Sequence, residues 1–127
     1  MTVREAIDIV DGIKPNQYTD EQKMSWLSAL DGTINEEIIK THRENTDIKT
    51  PKLPYTGEKD ENNKDIELLA PYPYDDIYKH WLFAQIDYLN SETTKYENSM
   101  IMFNSAYMQF WAWYNKNNAP LSGGFKV

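Results

Sequence analysis

An all-α domain of four helices is the fold this sequence predicts, and three observations carry that reading. Two helix-start signals, Thr2 with Glu5 and Thr19 with Gln22, each precede an apolar stripe of helical spacing. Near the C-terminus, Tyr96, Met100, Phe103, Tyr107, Phe110 and Tyr114 keep an alternating four-and-three spacing over almost three heptads. Pro71 and Pro73 stand just ahead of a third apolar stripe, a place where a helix start accepts proline. At 127 residues the chain suits one domain with a modest core.

The first helix is expected over residues 3–13, with Ala6, Ile7 and Val10 as its stripe, and Gly12, Lys14, Pro15 and Asn16 close it. The second starts at the Thr19 cap and carries Trp26, Leu27, Leu30, Ile34 and Ile38 to about residue 42. Gly32 interrupts it at a cost of roughly 1 kcal/mol against Ala, so a bend is expected near Asp31 and Gly32. Residues 43–70 lose the helical period, with Pro51, Pro54, Gly57 and a polar run that predict a long loop. Within it, residues 52–55 and 66–69 are apolar enough to pair as a small β-hairpin.

The third helix should begin near Tyr74 or Asp75, with Asp75 and Asp76 at the positive end of its dipole. Ile77, Tyr78, Trp81, Leu82, Gln85, Ile86 and Leu89 make its broad inner face. After Asn90 the fourth helix opens at Ser91 or Glu92 and runs to about Asn117, and so short a joint implies an antiparallel hairpin. Residues 118–127 carry no helical signal and read as a flexible tail. The expected core is Trp26, Leu30, Ile34, Ile77, Trp81, Ile86, Phe103, Tyr107 and Phe110.

Composition narrows the function classes. Thirteen basic against 20 acidic residues leave a net charge of −7, which disfavours nucleic acid and anionic membrane as partners. There is no cysteine, and His42 and His80 belong to no ligand-spaced cluster, so a metal site is not expected. The first ten residues mix an arginine with two acids before any long apolar run, and are expected to be neither signal peptide nor membrane span. Acidic pairs at Glu36 with Glu37 and at Asp75 with Asp76 read as solvated helix surface and helix-start charge rather than a general acid/base pair. His80 reads as a partly buried, hydrogen-bonded histidine. Phosphate loops, a serine nucleophile elbow and HExxH are absent from the sequence, so no cofactor and no enzymatic activity are expected.

The aromatic content of 13% points instead to packing against another molecule, since Tyr and Trp join an apolar body to a polar tip. The fourth-helix spacing reads as an assembly seam. Met102 and Met108 lie off that seam, and Trp111 and Trp113, two apart on a helix, cannot both face it. These four residues are the expected protein interface.

Two stretches then resemble a known family: Leu69-Ala70-Pro71-Tyr72-Pro73-Tyr74-Asp75-Asp76-Ile77-Tyr78, and Asn98 through Ser105, Ala106, Tyr107 and Phe110 to Trp113-Tyr114-Asn115. Together with Thr2-Val3-Arg4-Glu5-Ala6-Ile7 and Trp26-Leu27-Ser28-Ala29-Leu30-Asp31-Gly32, they look like head-tail connector, or adaptor, proteins of tailed phages and prophages of Gram-positive bacteria. The resemblance covers the first 42 residues and about 67–115, and skips the polar loop. It implies a virion structural subunit in the neck, assembled as a homo-oligomeric ring of roughly a dozen copies through heterologous contacts. The implied partners are the portal protein and tail or stopper proteins. DNA would pass through an acidic lumen without sequence-specific binding or sticking. The loop 43–70 or the tail would order on docking. No motif position in the family is catalytic. The alternatives are a tail-completion or minor capsid protein, or a prophage protein-binding module outside the virion.

Overall fold

In the computed structural model, which describes residues 1–41 and 66–118, the chain folds into four α-helices. They are α1 (Val3–Ile13), α2 (Asp20–Ile34), α3 (Asp76–Leu89) and α4 (Thr93–Asn117). A π-helical turn, Asn35–Ile39, continues α2. No strand occurs among the described residues, only an isolated antiparallel bridge between Thr2 and Glu67.

Both capping boxes form as the sequence predicts. The Thr2 hydroxyl accepts from the Glu5 N–H while Glu5 accepts from the Thr2 N–H, and Thr19 and Gln22 do the same for α2. α-Helical geometry runs through Gly32 to Ile34, and an irregularity comes just after it, where the Lys40 N–H donates to the Asn35 carbonyl five residues back. The wider turn keeps Ile34 and Ile38 on one inward line, both fully buried, while Glu36 and Glu37 face out.

α3 is the central helix and packs against α1, α2 and α4, whereas α4 meets only α3 and the π turn among the described elements. The expected α3/α4 hairpin is present. Its joint places Ser91 at φ 59°, a left-handed conformation for a side chain-bearing residue, and the Ser91 and Glu92 N–H groups donate to the carbonyls of Tyr88 and Asp87. The core runs through all layers: Ile7 and Val10 from α1, Leu27 and Leu30 from α2, Ile77, Leu82 and Ile86 from α3, and Phe103, Phe110 and Tyr114 from α4. Of the expected core, Leu30, Ile34, Ile77, Ile86, Phe103 and Phe110 are buried. Trp26, Trp81 and Tyr107 are only partly so. Two of those three use a side-chain polar atom. The Trp81 indole N–H donates to the Trp26 carbonyl at 2.9 Å, and the Tyr107 hydroxyl donates to Glu37 at 3.3 Å.

The segment before α3 departs from the predicted loop. Leu68, Leu69 and Ala70 are buried, and Val3 and Leu68 exchange backbone hydrogen bonds with Ile66 and Met1. The stretch 66–68 therefore pairs with the start of the chain, and residues 52–55, the other half of the expected hairpin, lie outside the described residues. The tail from residue 119, the second helix beyond Thr41 and the loop over 42–65 also lie outside them. The peptide bond before Pro73 is cis.

Asp31 organises this segment from α2. Its carboxylate accepts from the Leu69 N–H at 3.1 Å and from the Tyr78 hydroxyl at 2.6 Å, and the same hydroxyl accepts from the Ala70 N–H at 2.7 Å. Asp31 and Tyr78 are fully buried, so these bonds satisfy backbone groups that burial would otherwise leave unpaired. Asp75, expected at the dipole of α3, makes no side-chain cap there. It lies instead 3.4 Å from the Met1 ammonium, which Glu67 also meets at 3.3 Å. Asp87 is buried at the foot of the hairpin, where it pairs with Lys14 and accepts from the Ser99 hydroxyl at 3.0 Å.

Candidate interaction surface on the fourth helix

The aromatic spacing of α4 faces inward. Phe103, Phe110 and Tyr114 are buried, Met100 and Tyr107 pack against the core, and the Phe103 ring lies 5.1 Å from Trp81 of α3. Tyr96 meets Tyr88 across the hairpin at 5.4 Å. The seam expected to mediate assembly is thus occupied by the chain's own α3. A four-and-three spacing reports that a helix packs on a neighbour and is blind to whether that neighbour is intramolecular.

What remains open is the opposite face. Ile101 is 65% exposed, Met102 54%, Met108 66% and Trp111 48%. Around them stand Asn104, Ser105, Gln109, Ala112 and Asn115, all exposed, and residues 98–115 contain no charged side chain. Eighteen consecutive helical residues without a charge, exposed along one side, are unusual for a chain that is 26% charged. Large exposed apolar groups that are contiguous mark contact surfaces, whereas scattered ones do not.

Three of the four expected interface residues, Met102, Met108 and Trp111, lie on or beside this face. The fourth does not. Trp113 is half-buried, with its ring 5.0 Å from Tyr74 and 6.2 Å from Phe110, so much of its surface belongs to the subunit's own packing. Ile101 is the exposed residue that the earlier reading passes over. The charge-free run is the signal that would have found it, because an inward aromatic seam needs only one side of a helix to be apolar.

Chemistry of other kinds finds little to work with. No group of three His, Cys, Asp or Glu among the described residues is placed to hold a metal. A surface hollow of about 530 Å³ opens beside the α3/α4 joint, with Asp87 at its foot, but that carboxylate is already engaged by Lys14 and Ser99. A second, of about 610 Å³, is a shallow groove by Gly32, Glu36 and Lys40, and the latter two pair with each other at 2.6 Å. His80 is half-buried on α3; burial first and the Lys79 cation second lower its pKa, against the pull of Asp76. No described helix is long and apolar enough to cross a membrane.

The fold and this face define an all-α protein with one uncharged, exposed helix side. No protein family, curated protein or solved structure compared with this chain matches it.

Proposed function

We propose that this protein is a virion structural subunit, a head-tail connector or adaptor that acts by assembly and not by catalysis. The observation that carries the reading is the outward face of α4, where Ile101, Met108 and Trp111 stand exposed on a stretch without a single charge. Apolar and aromatic surface of this kind gains free energy when a partner covers it, and the lack of charge removes the desolvation cost that usually guards a surface. The resemblance of the α3 entry and of α4 to phage connector sequences supplies the setting: a ring in the neck between portal and tail. The acidic balance suits a conduit through which DNA passes without adhering.

Copy counting by mass spectrometry on purified virions of the phage that encodes the chain tests this. Roughly a dozen copies per particle is the expected result for a ring component. A handful of copies would point to a tail-completion or minor capsid role. Absence from finished particles would overturn the virion reading and leave a prophage protein-binding module.

A further inference from the structure

We propose that the free subunit pairs with a second copy of itself through the outward face of α4, antiparallel and about a twofold axis, so that the assembly surface is covered before docking. The inference rests on the reading of this face as an assembly surface, but not on the virion setting. Its basis is a row of six exposed residues on α4: Glu97, Ile101, Ser105, Met108, Ala112 and Lys116. Steps of four, four, three, four and four keep all six on one side of a helix. The row reads the same in both directions, with its midpoint at the peptide between Ala106 and Tyr107.

A twofold pairing demands that a surface be complementary to itself. Here each position meets its counterpart with matching chemistry. Glu97 opposes Lys116 of the second copy, a carboxylate against an ammonium, and the symmetry repeats that pair at the other end. Ile101 opposes Ala112 and Met108 opposes Ser105, a large side chain against a small one each time, which lets two helices approach at the 8–10 Å typical of packed pairs. A parallel arrangement would set Glu97 against Glu97, Lys116 against Lys116 and Met108 against Met108. The net charge of −7 adds a further constraint, because two acidic subunits associate best where neither presents excess carboxylate, and the 98–115 stretch presents none. Met102 and Trp111 flank the row on opposite sides and would widen the contact.

The absence of cysteine makes the register directly testable. Full-length Ile101→Cys and Ala112→Cys proteins, mixed and mildly oxidised, are expected to cross-link with each other and not with themselves, because eleven residues, about 16 Å along the axis, separate each position from its own copy. Sedimentation of the cysteine-free protein is expected to show a concentration-dependent dimer. Glu97→Lys and Lys116→Glu should each weaken it roughly tenfold, and the double variant E97K/K116E should restore it to within about twofold, because both pairs reverse sign together. Ile101→Asp, at a position that is 65% exposed, should abolish pairing while the helical circular dichroism stays unchanged. A monomer at millimolar concentration, cross-linking of Ile101→Cys to itself, or failure of the double variant to recover would overturn the proposal. A monomer that is nevertheless found in virions sinks the pairing and leaves the connector reading intact. A dimer that is absent from virions does the reverse.

Discussion

Tyr78 and Asp31 show how single side chains decide where a segment lies. One phenol oxygen stands between the Ala70 N–H and the Asp31 carboxylate, and that carboxylate also takes the Leu69 N–H, so two buried groups dock the entry to α3 onto α2. Removing the hydroxyl alone leaves the Ala70 donor buried without its acceptor, and such a loss costs about 2 kcal/mol. Tyr78→Phe is therefore expected to lower the urea midpoint by a corresponding amount without changing the slope, measured by circular dichroism. Asp31 sits in the Leu30-Asp31-Gly32 phrase of α2, where sequence spacing shows an acid on the edge of an apolar stripe. Nothing local marks it as the acceptor for a segment 38 residues away.

Each helix of this protein turns one face inward and another outward, and the outward face of α4 differs in carrying no charge over residues 98–115. α3 is covered on three sides by its neighbours; α4 leans on α3 with its aromatic side and leaves the other uncovered. The two tryptophans of α4 separate these roles. Trp113→Ala removes a ring stacked on Tyr74 and Phe110 and is expected to cost about 2–3 kcal/mol in chemical denaturation. Trp111→Ala should change stability by no more than about 0.5 kcal/mol, with its effect falling on assembly. Equal losses of stability at both positions would remove Trp111 from the interaction surface. In α2, a Cβ added at Gly32 would meet nothing within 4 Å, and the residue has α-helical geometry. Gly32→Ala is accordingly expected to stabilise the protein by about 1 kcal/mol, read as a raised melting temperature.

For the molecule as a whole, the balance of acids and bases makes stability depend on pH, and His80 provides one traceable contribution. Burial and the neighbouring Lys79 lower its pKa in the folded state. The unfolded chain takes up this proton near the ordinary value of about 6.5, so below that pH the unfolded state holds more protons than the folded one. The contribution of His80 is thus complete above the ordinary histidine value and is lost as pH falls through it toward the lowered one. Thermal melts at about pH 7.5 and about pH 5.5 are expected to differ less for His80→Gln than for the unaltered chain. An identical drop in both proteins would show that His80 takes no part.

Helix number and order, the two capped starts and the α3/α4 hairpin are legible in the residues, because capping and helical spacing act over four or five positions and need no distant partner. The inward side of α4 is legible too, since Phe103 and Phe110 belong to the expected core and are buried. What is not decided locally is whether the aromatic seam meets another molecule or the chain's own α3, because the spacing is the same for both and only the packing of Phe103 on Trp81 settles it. Likewise, nothing local assigns Leu68 and Leu69 their partners: the Leu68 N–H donates to the Met1 carbonyl and the Leu69 N–H to the Asp31 carboxylate. Local rules wrote the elements. The long-range choice among several apolar faces, settled by which burial also satisfies the buried polar groups, placed them and left one side of α4 exposed.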